Sequence, residues 1–200
     1  MLIIRYTFGA NNFMTQNNEL VVLVDDNDVE IGTALKATVH THDTPLHRAF
    51  SIYIFNPNGQ VLVQQRRRDK ITWGSFWSNS CCGHPCVGES REDAAKRRPL
   101  QELGINVNNI EQIEWDRYRF EHNNIVENEI CPIFVGITRD EVKPNDREIE
   151  DYKWLSWSGF LQDMTAHRDI YSPWSQEQVV ILNNSENFKS WLAQNSLMLS

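Results

Sequence analysis

The sequence predicts an α/β fold of the α+β type, a mixed β-sheet sandwiched between helices. Three observations carry that reading. Short apolar runs rich in β-branched and aromatic residues end in turn residues, as at 20–24 and 49–55. A segment with helical caps at both ends, Ser90 to Gly104, interrupts them. Residues 125–137 then return to strand character with a period of two.

Taken in order, residues 1–18 carry no clear pattern and read as an extension, which leaves 19–200 as one domain. Leu20 to Val24 is a β-type run closed by Asp-Asp-Asn-Asp. Ala49 to Phe55 is another, and Asn-Pro-Asn-Gly after it is a hairpin turn from which Val61-Leu62-Val63 resumes. A basic stretch, Arg66 to Lys70, leads into a Trp/Ser/Gly-rich loop and then SNSCCGHPCVGES. Ser90 caps the next helix, with Asp93 in a loose capping box and Gly104 as the stop. Pro99 objects from the helix interior, where proline costs about 3 kcal/mol, so a kink or different boundaries are expected. A short strand falls within 148–157, and the tail from Gln176 is expected to be helical.

Composition narrows the function classes. The chain has 200 residues, 19 Lys+Arg against 27 Asp+Glu, and a net charge of −8, so no broad nucleic-acid-binding face is expected, while the charge leaves room for a local basic pocket. No apolar run is long enough to span a membrane. The N-terminus lacks the order of a secretory signal, so a cytoplasmic location is expected. Cys81, Cys82, Cys86 and Cys131 are then expected to stay reduced, and three of them within six residues suit a metal or catalytic site.

Four features suggest chemistry: the histidines, a pair of strand glutamates, the loop bounded by Gly83 and Gly88 before a helix N-terminus that attracts anions, and Cys82, which is either a small buried residue or a thiol tuned for acid–base work. His40, His42 and His47 lie close together, and His84 follows in Cys-Gly-His; imidazoles with carboxylates suit Zn, Mn or Fe, although no spacing here is a strict metal signature. Glu127 and Glu129 share one strand face with Cys131, Ile133 and Val135. If that face is buried, two like charges need a metal or a shared proton; if it is solvent, they are a polar edge. Arg98 and Glu102 stand at i and i+4, the spacing of a plain helical ion pair.

The run from His84 through Glu89 and Arg97-Arg98-Pro99-Leu100-Gln101-Glu102 to Gly104 resembles the Nudix box, with departures. His84 stands where the first Gly belongs, Arg98 replaces one Glu and Gln101 another, which argues against ordinary diphosphate hydrolysis. Those departures are similar to the type I isopentenyl-diphosphate isomerases. The resemblance runs from about Glu19 to Trp174 through KATVHTHDTPLH, NSCCGHP, residues 88–104, IVENEICP and YSPW. It implies a Nudix-like fold and an isomerase interconverting isopentenyl and dimethylallyl diphosphate.

The resemblance also implies roles. Cys82 and Glu129 match the catalytic pair, and Tyr118 matches the helper of Glu129. His40, His47, His84, Glu127 and Glu129 match the ligands of a divalent metal, Mn²⁺ or Zn²⁺. Glu102 matches the holder of the Mg²⁺ on the diphosphate; Lys36, Arg66, Lys70 and Arg98 match its basic surround; Trp174 matches the wall over the hydrocarbon end. His42 has no counterpart and reads as a bystander. The implied partner is a small-molecule substrate, with neither nucleic acid nor membrane, for a monomer or homodimer. The rivals are a Nudix hydrolase of a nucleoside diphosphate derivative and a non-catalytic metal-binding protein.

Overall fold

The computed structural model describes residues 19–197. The expected extension, 1–18, lies outside them. Ten strands form one sheet: β1 (Leu20–Val24), β2 (Glu30–Leu35), β3 (His47–Arg48), β4 (Phe50–Phe55), β5 (Val61–Arg66), β6 (Trp77–Ser78), β7 (Cys81–Gly83), β8 (Asn108–His122), β9 (Ile125–Ile137) and β10 (Ile149–Leu155). The helices are α1 (Lys36–Val39), α2 (Arg91–Leu103), α3 (Trp157–Ala166), α4 (Pro173–Asn184) and α5 (Glu186–Gln194). The main order is β10-β5-β4-β9-β3-β1-β2, with β6 on β5, β7 on β4 and β8 on β9. β9 runs parallel to β3 and β4 and antiparallel to β8, so the sheet is mixed as the sequence predicts.

Alternation along the central strands divides the core. Phe50, Ile52, Ile54 and Leu62 pack with Cys81, Ala94, Ala95 and Leu103 on the α2 face. Tyr53, Phe55, Val61 and Val63 face Trp157, Phe160, Leu182, Phe188 and Trp191 on the other. Both faces of β4 are covered, which explains why every residue of that strand is buried and all but Ser51 are apolar or aromatic.

α2 begins and ends where the sequence places its caps. The Ser90 hydroxyl accepts from the Asp93 amide, and Gly104 ends the helix at φ 67°. A Cβ on Gly104 would stand 2.9 Å from the Lys143 carbonyl, so glycine is required by space as well as by φ. Pro99 does not divide the helix: it lies in its closing turns, and its carbonyl accepts from the Gly104 amide. Several elements go beyond the expectation, the longest being the 15-residue β8 and the helix α3, with β2, α1 and the short strands β3, β6 and β7 beside them.

Candidate active site

A cavity of about 430 Å³ opens beside α2, and every residue to which the resemblance gives a role lines it except His47, which is fully buried behind Glu129. Its histidine end is assembled from four elements. His40 ends α1, His47 is on β3, His84 follows β7, and Glu127 and Glu129 are on β9. Parallel register sets His47 directly opposite Glu129. The loop between His40 and His47 is tied down by the Val126 amide on the Thr41 carbonyl and by the Asn128 amide on the Thr44 carbonyl.

One donor atom each from His40, His47, His84 and Glu129 lies within 4.8 Å of all the others. His84 Nε2 is 2.9 Å from Glu129 Oε1 and 3.2 Å from His47 Nε2. His47 Nδ1 is 2.9 Å from the Pro45 carbonyl, which can only accept, so Nδ1 carries hydrogen and Nε2 turns to the cluster, a lone-pair donor in the neutral ring and a hydrogen donor to Glu129 at 3.3 Å when protonated. His40 Nε2 and Glu127 Oε2 stand 3.1 Å apart, yet both are buried without a hydrogen bond. Converging lone pairs and carboxylates with orphaned buried atoms fit a divalent cation of the kind imidazole and carboxylate bind. His42 is exposed and outside this group.

Charge follows the packing. Burial lowers the His84 imidazole to about 4. Burial opposes the charge on Glu129, but the imidazoles of His47 and His84 outweigh it and hold the carboxyl well below its usual range. Tyr118 on β8 donates its hydroxyl to Glu129 Oε2, cross-strand register having put the two opposite each other. Cys82 enters the cavity from β7, with β4 between it and β9. Burial pushes its thiol up to about 12, against the pull of the Arg66 guanidinium, whose Nη1 is 4.0 Å from the sulfur.

Aromatic groups enclose this part of the cavity. Trp174 is buried, and its indole N–H donates to Ser78 Oγ at 3.0 Å. Its ring lies nearly parallel to Tyr118, 17° between planes at 6.4 Å, with Trp73 edge-on and the Arg66 cation 5.4 Å from its centre. The opposite end is ionic. Lys36 pairs with Glu19 at 2.7 Å, Lys70 with Glu148, and Arg98 with Glu102. Arg98 and Glu102 therefore do make the i, i+4 pair their spacing predicts, but buried at the cavity wall. Gln64, Arg147 and Glu148 also line the cavity and escaped the sequence reading. No spacing flags them, because the sheet and the segment before β10 bring them in from far along the chain.

The NUDIX domain family matches residues 45–175, and solved structures agree on that fold. A Deinococcus radiodurans protein superposes with a TM-score of 0.59 at 18% identity, over 74% of this chain and 90% of that one. A Methanosarcina mazei MutT protein gives 0.52 at 20% identity, over 76% and 96%. The chain is thus a Nudix-fold protein. Within that class its relatives are narrower. A Saccharopolyspora erythraea isopentenyl-diphosphate Delta-isomerase is 45% identical over 82% of this chain and 86% of its own length. The Clavibacter michiganensis protein of that name is 41% identical over 90% and 94%. The chain belongs to the isopentenyl-diphosphate Delta-isomerase family.

Proposed function

We propose that this chain interconverts isopentenyl diphosphate and dimethylallyl diphosphate, with Cys82 and Glu129 as its two acid–base groups. The observation that carries the reading is their entry into one cavity from separate strands, between a histidine cluster and a cationic end. The reaction delivers a proton to C4 and removes one from C2, through an intermediate resembling a tertiary carbocation. The resting charge states suit it: the Cys82 thiol holds its proton and Glu129 is ionised. Tyr118 fixes the carboxylate through its hydroxyl. The π face of Trp174 offers the cation about 2 kcal/mol when desolvated, and the buried aromatic wall keeps water from trapping it. Lys36, Arg66, Lys70 and Arg98 anchor the diphosphate, which supplies binding energy away from the reacting carbons.

Two ions belong to this reading. Mn²⁺ or Zn²⁺ at His40, His47, His84, Glu127 and Glu129 would steady and orient the Glu129 carboxylate, and Mg²⁺ on the diphosphate at Glu102 would neutralise phosphate charge. The hydrolase reading is disfavoured because Arg98 and Gln101 stand where the box carries glutamates, which removes carboxylates that would collect divalent ions.

The test is incubation of the purified protein with isopentenyl diphosphate and Mg²⁺ in D₂O, with and without Mn²⁺ or Zn²⁺. Deuterated dimethylallyl diphosphate without released phosphate is expected. Released phosphate would revive the hydrolase, and unchanged substrate with folded, metal-loaded protein would overturn the proposal.

A further inference from the structure

Cys81, the neighbour of Cys82, has no part in the reaction just described, yet its surroundings are specific. It is fully buried on β7, and strand alternation turns it away from Cys82 toward α2, where it packs with Ala94, Ala95 and Leu103. An apolar side chain would satisfy that packing. Instead the Cys81 thiol lies 3.4 Å from Glu102 Oε2. Glu102 is itself buried, and its other oxygen, Oε1, accepts from Arg98. The carboxylate is therefore gripped at both oxygens, by a guanidinium from its own helix and by a thiol from the sheet. Each oxygen keeps a second lone pair, and Glu102 lines the cavity.

We infer that Cys81 is a positioning residue for Glu102: its S–H holds Oε2 so that the carboxylate faces the cavity instead of turning fully onto Arg98. Arg98 offers a planar fork of donors that pairs readily with both oxygens of one carboxylate. Without the thiol, that bidentate pair is the competing arrangement, and it would withdraw Glu102 from a cation carried into the cavity on a diphosphate. The inference rests on the role proposed for Glu102. It makes Cys81 a determinant of affinity at the diphosphate end, separate from the proton transfers of Cys82 and Glu129.

The experiment compares Cys81→Ala, Cys81→Val and Cys81→Ser with the parent chain and with Glu102→Gln. Two readouts are taken: calorimetric affinity for Mg²⁺ with inorganic pyrophosphate, and kcat and KM for isopentenyl diphosphate across a Mg²⁺ series. A thiol is a weak donor, so Cys81→Ala and Cys81→Val should weaken pyrophosphate affinity and raise KM and the half-saturating Mg²⁺ by roughly three- to tenfold, with kcat little changed. Cys81→Ser, which keeps a donor, should restore most of the loss. In the Glu102→Gln background Cys81→Ala should add nothing, because its effect passes through that carboxylate. Unchanged affinity in both Cys81→Ala and Cys81→Val, a serine variant as weak as alanine, or full additivity with Glu102→Gln would overturn the inference. Should Cys81→Ala not fold, Cys81→Val and Cys81→Ser carry the same comparison. A parent chain that binds Mg²⁺-pyrophosphate but does not isomerise would refute the proposed reaction while leaving the Cys81 test intact.

Discussion

At the scale of single residues, the cavity contains two groups whose environments push their proton affinities apart. Burial keeps the proton on Cys82, while the imidazoles beside Glu129 keep it charged. Truncating either should therefore stop the reaction without unfolding the chain. Cys82→Ala is expected to lower kcat by about 10²–10⁴-fold with bound metal unchanged, as read by turnover and elemental analysis. Glu129→Gln should match that loss and also shed metal, because Glu129 lies within the histidine cluster. Near-normal turnover of Cys82→Ala would remove it from the chemistry. Much of this site is legible in the chain, but unevenly. The period-two placement of Glu127 and Glu129 shows in the letters alone, and burial of that strand face then calls for a metal or a shared proton. The histidine cluster is visible only as a group of candidates. His42 sits between two of its members in sequence, and only the turn from Thr41 to Thr44 separates it from them in space. The roles of Cys82, Tyr118 and Trp174 came through resemblance, since no local spacing distinguishes a catalytic thiol from a small buried residue.

At the scale of elements, α2 shows where local rules give the right boundaries and the wrong worry. Its caps define it from Arg91 to Leu103, and Pro99 sits inside without ending it. The proline still lacks the amide that would bond to the Ala95 carbonyl, a helix penalty of about 3 kcal/mol. Its ring is buried, so Pro99→Ala would also lose about two methylenes of burial, roughly 1.6 kcal/mol. The first effect is larger, and thermal or urea unfolding should show the variant more stable by about 1 kcal/mol. A less stable variant would mean that the ring's packing outweighs the missing hydrogen bond. The elements that escaped the sequence reading escaped for physical reasons. β8 is broken by register shifts near Asn108–Glu111 and Gln112–Glu114, which put its apolar residues out of phase. α3 starts at Trp157 with Ser158 and Gly159 in its first turn, residues that read as a loop until Ser156 is seen capping the Gly159 amide. β2, at the edge of the sheet, is largely exposed and so carries little apolar pattern.

At the scale of the whole molecule, one carboxylate joins parts that the sheet alone does not hold together. Asp163 on α3 accepts from Lys153 of β10, from the Tyr171 hydroxyl at 2.6 Å, and lies 2.9 Å from His167 Nδ1. Tyr171 and Ser172 lead into α4, whose second residue is Trp174, so Asp163 braces the segment that carries the aromatic wall of the cavity. Partial burial raises its proton affinity, but the hydrogen bonds from Lys153, Tyr171 and His167 outweigh that and lower it to about 2. A carboxyl depressed in the folded state contributes stability above its unfolded pKa, near 3.8, and loses it as pH falls through the folded value. From those two values the contribution at neutral pH is about 2 kcal/mol, an upper figure because the group is partly exposed. Asp163→Ala should therefore unfold at lower denaturant than the parent chain at pH 7. The gap should narrow between pH 4 and pH 2, when Asp163 in the parent becomes protonated too. Measured at pH 7, the variant should also show weaker turnover through a loosened Trp174, with metal content unchanged, since the histidine cluster stands on other elements. A stability gap that stays constant down to pH 2 would mean that Asp163 acts by packing and not by charge.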